Sequence, residues 1–289
     1  MSSPFVASPQ DAFKSLTALF QRAKPQIALA VPKFLTPDRL IRIALTTWQR
    51  TPDLQQCSPM SILGALMQAA QLGLECDNVL GHAYLVPFKN KHTGQMEAQF
   101  IIGYKGLLDL ASRSDRLAGL PEAQCVFEGD HFEFEYGVNA FLRHKPCGED
   151  NPAKITHAWS LARYRDGTPT FTVMQRSKLE RIRASAKSRS GPWSTHFEEM
   201  CRKTVLRRHC KTLPLAVELQ RHLATEEYVE AGVMAPSEVM GEFVSLPGEQ
   251  PDNPSASKSD QIASRIASRQ KQEELPEEAK QAERQAGEE

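Results

Sequence analysis

Cysteine is scarce in this chain: six in 289 residues (Cys57, Cys76, Cys125, Cys147, Cys201, Cys210), with no CxxC pair and no Cys/His spacing of a ligand set. Scattered thiols of this kind argue against a disulfide framework and a zinc module, and fit a reducing compartment. Long apolar runs are missing too. No stretch approaches the roughly 20 residues needed to span a bilayer, and the first residues hold no signal-peptide core. A soluble cytoplasmic chain with no membrane partner is the expectation. The nucleotide motifs are absent as well: no GxxxxGK[ST] loop and no GxGxxG after a strand, so ATP-driven chemistry finds no support. Neither a GxSxG nucleophile nor an HExxH zinc site occurs. With these gaps go the reasons to expect a catalytic residue, a cofactor or a bound metal.

What is present is charge, unevenly placed. The formal net charge is +0, yet residues 1–230 hold 29 basic and 23 acidic side chains, and residues 231–289 hold 6 and 12. A neutral total therefore joins a basic body to an acidic tail. The excess concentrates in RSKLERIRASAKSRSGPWSTHFEEMCRKTVLRRHCKTLP, Arg176 to Pro214, which holds eleven Lys or Arg against Glu180, Glu198 and Glu199. So dense a cluster self-repels and calls for a polyanion. Gly191-Pro192-Trp193 divides it into two segments that read as helices.

Taken in order, the chain begins with Met1–Ser8 unanchored and a helix over Asp11–Lys24, stopped before Pro25. Thr36-Pro37 and Ser58-Pro59 are helix start signals, and Gly73 is placed to end the second of these helices. Leu63, Leu66, Met67 and Ala70 recur at helical spacing and read as core. HAYLVPFKN and MEAQFIIGY then read as a hairpin joined by KNKHTGQ, with Pro87 at an edge and Lys89 and Lys91 at the tip. Tyr104-Lys105-Gly106 opens the helix LLDLASRS, a strand-to-helix junction that favours anions. GLPEAQCVFEGDHFEFEYG and ITHAWSLARYRDGTPTFTVM read as two further hairpin-like units, the second turning at Asp166-Gly167. LPLAVELQRHLATEEYVEAG reads as a closing helix. From about Ala235 the chain is rich in Glu, Gln, Ser and Pro, the composition of disorder, with a transient helix conceivable over Ser259–Lys271.

On the second basic helix, Phe197, Met200, Cys201, Thr204 and Val205 form an apolar arc, with Lys203 and Arg207 at i, i+4 and Arg208 and Lys211 at i, i+3 as two basic edges. His196 and His209 have no Cys/Asp set beside them and read as structural polar groups. Trp193, Tyr104 and Phe88 lie near cations and are candidates to stack on bases, although core packing explains each aromatic equally well. The chief rival is a metal-dependent nuclease built on Glu128, Asp130, Glu133 and Glu135; strict alternation with Phe132, Phe134 and Tyr136 explains those acids more simply. A third reading is a module that only coats single strands.

Three stretches carry a resemblance: MSILGALMQAAQLGLECDNVLGHAYLVPFKNK, QFIIGYKGLLDLASRS and GPWSTHFEEMCRKTVLRRHCKTLP. The chain resembles the RecT family of phage single-strand annealing recombinases over roughly Leu35 to Glu227. The resemblance implies an ATP-independent, non-enzymatic protein that binds single-stranded DNA, anneals complementary strands in phage or prophage recombination, and assembles into rings or helical filaments. It implies as partners a nascent duplex, a 5′→3′ exonuclease and the host single-strand binding protein. It also fits an α+β fold, with N-terminal helices, antiparallel β-hairpins and C-terminal basic helices around one core; the disordered acidic tail is read from composition, and neither Met1–Lys33 nor the tail shares a motif with the family. The domains expected are 1–33 as a partly helical segment for subunit contacts, 34–232 as the annealing core and 233–289 as the tail. Tyr104, Lys105 and Arg113 match the family's GY[KR]G segment, and Lys203, Arg207, Arg208 and Lys211 its later basic segment. With Lys89, Lys91, Lys187, Arg189, Trp193 and Arg202 they make up the expected DNA contacts.

Overall fold

A proline inside a helix forfeits a backbone hydrogen bond and costs about 3 kcal/mol, which is why the sequence predicts a stop at Lys24. The computed structural model describes residues 9–77, 79–90, 94–185, 191–216 and 219–224, within one compact unit that ends at Ala224. In it the first helix, α1, runs Pro9–Ala30 with Pro25 inside. Leu16, Phe20, Ala23 and Ile27 bury one stripe, and Ile27 lies beyond the proline. Each large apolar side chain so buried contributes about 1.5–3 kcal/mol. Packing against the next two helices therefore outweighs the local penalty. The expectations for Met1–Ser8, for most of the closing helix and for the tail lie outside the described residues; 219–224 are helical.

The start signals act as their positions imply. Thr36 Oγ1 accepts from Arg39 N at the start of α2 (Pro37–Arg50), and Ser58 Oγ from Ser61 N at the start of α3 (Pro59–Leu72). α3 is buried at Leu63, Leu66, Met67 and Ala70, and Gly73 ends it at φ +61°. Strands β1 (Ala83–Lys89) and β2 (Met96–Ile102) pair antiparallel, from Ala83↔Ile102 to Lys89↔Met96. The start of α3 covers the outer edge of β2: Ser58 N donates to Met96 O (3.0 Å) and Ala98 N to Ser61 Oγ (2.9 Å). Asn90 Nδ2 donates to Glu97 Oε1 (2.8 Å) near the tip, with both side chains buried.

Helix α4 (Tyr104–Ser112) leaves β2 through the GYKG turn, and its two glycines have steric rather than dihedral causes. A Cβ on Gly103 would sit 2.0 Å from Gly81 O, and one on Gly106 would sit 2.0 Å from His82 O. The backbone at Gly81–His82 thus lies directly against the first turn of α4, and Gly103 N donates to His82 O (2.8 Å).

The next strands are β3 (Glu122–Phe127), β4 (His131–Glu135), β5 (Phe141–Lys145), β6 (Ile155–Arg163) and β7 (Pro169–Gln175). The expected β3–β4 hairpin does not form. β3 pairs with β6 in a sheet ordered β3-β6-β7, and β4 pairs with β5. The reason is Asp130, whose carboxylate accepts from Phe127 N (2.8 Å) and Cys147 N (2.8 Å) and bonds His144 Nε2 (2.9 Å). Gly129, at φ +91°, lets the chain leave the sheet there. β4–β5 forms a second layer, with Phe132 and His144 over His157 and Trp159. Burial alone would raise the Asp130 carboxyl, but the donors at Phe127, His144 and Cys147 outweigh it and hold it well below the usual range. The β6–β7 hairpin turns at Asp166-Gly167 as expected, with Gly167 at φ +87°.

Helices α5 (Arg176–Ser185), α6 (Pro192–Thr195) and α7 (Phe197–Cys210) follow. α7 lies on the face of β6 that offers the buried small residues Ala158, Ser160 and Ala162. His209 is fully buried there, its ring bonded to Ser160 Oγ (3.0 Å) and Thr170 Oγ1 (3.4 Å), and burial lowers it to about 4. Unfolding between about pH 4 and 6.5 must therefore take up a proton at this residue. Its contribution to stability is complete above pH 6.5 and falls as pH drops toward 4. Denaturant unfolding at stepped pH should show that loss in wild type and a shallower one in His209→Gln. Gly106→Ala should cost roughly 1–3 kcal/mol through overpacking, read as a lower denaturation midpoint.

Candidate nucleic-acid interface

At 100° per residue, the buried residues of α7 (Cys201, Val205, Leu206, His209, Cys210) fill one half of the helix. Lys203, Arg207, Arg208 and, just past its end, Lys211 fall together on the other half, over about 140°. The sequence predicts two basic edges around an arc of Phe197, Met200, Cys201, Thr204 and Val205. The spacing itself puts Lys203, Arg207, Arg208 and Lys211 on one face instead, while Arg202 falls on the opposite side. The buried half includes His209, which hydropathy counts as polar but which its hydrogen bonds to Ser160 and Thr170 make core. Phe197 leaves the predicted arc to sit under two guanidinium groups, Arg176 at 5.5 Å and Arg183 at 5.3 Å from its ring centre.

The three acids of the basic stretch are taken up within it. Glu180 pairs with Arg176 (3.1 Å) and Arg183 (3.5 Å), and Arg202 holds both Glu198 and Glu199. Arg176 also donates to Ile155 O (3.0 Å) and Ala153 O, tying α5 to the start of β6. Three arginines are thus engaged structurally, Arg202 of the expected contacts among them.

A different set stands without an acid among the described residues. Lys178 is pushed below the usual lysine value by burial, then by the like charges of Arg208 and Arg181. α5 and α7 thereby gather three cations that no acid of the stretch neutralises, a local excess that an anion would relieve. Sequence reasoning singled out Arg208 but passed over Lys178 and Arg181. The spacing Lys178–Arg181 at i, i+3 was the signal that could have found them.

Tyr104 connects this region to the GYKG turn. Its hydroxyl is raised by burial, opposed by Arg202 and reinforced by Glu199 and Glu122, so the ring sits beside the first turns of α7. Lys105 is exposed, with its stem at Gly81. Arg113 turns inward: it donates to Leu72 O (2.6 Å), Gly73 O (3.1 Å) and Asp109 (2.6 Å), capping the carbonyl end of α3. Trp193 is buried against Phe197, with ring centres 5.9 Å apart, which withdraws its face from any base. Lys89 is exposed at the far end of the β1–β2 hairpin, about 20 Å along the strands from Lys105 at ~3.3 Å per residue. Lys91, Lys187 and Arg189 lie outside the described residues.

The acids of the nuclease reading do not converge. Asp130 faces inward onto its three donors, Glu133 and Glu135 alternate outward from Phe132 and Phe134, and among the described residues no group of three His, Cys, Asp or Glu could hold a metal ion. Among those residues, too, no helix is long and apolar enough to cross a membrane.

Comparison with known proteins gives a consistent result. Residues 38–239 match the model of the RecT family. Protein RecT of Escherichia coli K12 is 46% identical over 207 residues, covering 71% of this chain and 76% of that protein. The uncharacterized protein YqaK of Bacillus subtilis 168 is 27% identical over 177 residues, 60% of this chain and 58% of that one.

If Arg208 serves a ligand and not the fold, removing it relieves repulsion. Arg208→Gln should leave stability within about 0.5 kcal/mol of wild type or raise it. A drop of about 2 kcal/mol or more in denaturant unfolding would mean that Arg208 is structural.

Proposed function

The chain belongs to the RecT family, and from that premise we infer that it binds single-stranded DNA and anneals complementary strands, without ATP and without making or breaking a covalent bond. The observation that supports this placement of the DNA is the cluster of Lys178, Arg181 and Arg208, cations of α5 and α7 close enough to repel, with no acid paired to them among the described residues. The outer face of α7, with Lys203, Arg207 and Lys211, extends it, and Lys105 at the start of α4 adds a further phosphate contact. Neutralising phosphates on two strands lowers the repulsion that opposes their pairing and releases condensed counterions. Leaving bases outward keeps them available to a second strand.

Size argues for assembly. At 1.5 Å per residue the 14 residues of α7 span about 21 Å, the rise of about six nucleotides at 3.4 Å each. Six base pairs form too short a duplex to persist, so several protomers in a row would hold the nascent product. We therefore read residues 34–232 as the annealing core, 1–33 as a source of subunit contacts, and the acidic 233–289 as a segment for host factors, in a cytoplasmic protein. A 5′→3′ exonuclease that exposes single strands, and a host protein that coats them, are the partners such an activity needs.

Lys178→Ala with Arg208→Ala should weaken binding and flatten the slope of log K against log salt by about 1.4, at ~0.7 per phosphate released on a single strand. A slope unchanged across a salt titration would count against this face. Labelled complementary strands should pair faster with the protein and stay full length in Mg²⁺; shortening would point to the nuclease, and retarded pairing to a coating protein.

A further inference from the structure

Of the aromatic residues near cations, the most exposed was not among those the sequence singled out. Phe34, in the loop between α1 and α2, is 67% exposed. It is nevertheless held in place. The Arg113 guanidinium lies 4.8 Å from its ring centre. That guanidinium is fixed by Leu72 O, Gly73 O and Asp109. The edge of the ring reaches Gly73, where a Cβ would stand 2.9 Å from Phe34 Cζ. Exposed Lys33 is the adjacent residue. The result is an aromatic plane in water, with a cation fixed against it and an exposed lysine next to it in the chain.

We propose that Phe34 is a nucleobase-stacking residue, backed by Arg113, with Lys33 beside it for the phosphate of the same strand; the proposal rests on the single-strand binding inferred above. Every base has a π-face, so a ring so placed accepts any sequence, and the cation fixed against it strengthens the contact. Charge selects the occupant. A protein surface that covered this ring would have to desolvate Lys33 and a guanidinium edge, whereas a nucleotide brings an anion to them. Arg113 would then contribute to binding through Phe34, while its hydrogen bonds stay within the protein.

The three native tryptophans, Trp48, Trp159 and Trp193, are 4%, 7% and 8% exposed, so an indole introduced at position 34 reports from the surface. Emission of Phe34→Trp should be quenched on saturation with oligothymidylate, far beyond any change in wild type. Phe34→Ala should weaken oligothymidylate binding about fivefold or more with an unchanged melting temperature, and Phe34→Tyr should restore it. Anisotropy of a labelled oligonucleotide fixes saturation independently. Saturated but unquenched Phe34→Trp, or full affinity in Phe34→Ala, overturns the stacking role alone. No oligonucleotide binding by wild type overturns the single-strand reading and this proposal with it. Emission that shifts with protein concentration and ignores DNA makes the residue a contact between copies of the chain, and overturns it too.

Discussion

One half of α7 is buried on the small-residue face of β6, and the cations of the other half go where that burial sends them. Ala158, Ser160 and Ala162 let the helix approach closely, while Cys201, Val205, Leu206 and Cys210 fill the contact. His209 completes it, neutral and bonded to Ser160 and Thr170. Apolar burial at about 1.5–3 kcal/mol per large side chain exceeds the few tenths to 1 kcal/mol typical of surface charge effects. The core can therefore hold a repulsive face in place until a ligand neutralises it.

The same stretch limits its own repulsion. Glu180, Glu198 and Glu199 go to Arg176, Arg183 and Arg202, and two of these arginines, Arg176 and Arg183, also lie over the Phe197 ring at the α5–α7 contact. Among the cations those acids do not reach, Lys178, Arg181 and Arg208 are gathered from two helices. The division follows from geometry: a carboxylate at i+3 or i+4 reaches its arginine within one helix, and only tertiary packing brings Arg208 to Lys178.

The GYKG turn shows why a glycine-containing motif need not be a phosphate cradle. Gly103 and Gly106 are required by the carbonyls of Gly81 and His82, and the turn in consequence sets Tyr104 beside the start of α7. The motif first of all joins the hairpin layer to the basic helices, and Lys105 is the side chain it leaves outside.

Local features were legible from the sequence alone. Caps at Thr36 and Ser58, the stop at Gly73, the turn at Asp166-Gly167, the mixed α+β order and the excess of positive charge each depend on residues a few positions apart. So did the RecT resemblance, a pattern of residues along the chain. What lay beyond reach depends on contacts distant in sequence. Pro25 continues its helix because Ile27 finds a core, β3 leaves β4 for β6 because Asp130 binds Cys147 and His144, and His209 becomes interior because Ser160 and Thr170 meet it. The sequence by itself determined that this neutral chain carries a basic α+β body suited to a polyanion. Only the tertiary structure decided which cations stand together and which aromatic is left in water, because like charges and exposed rings are placed by the packing of other residues and carry no local signal of their own.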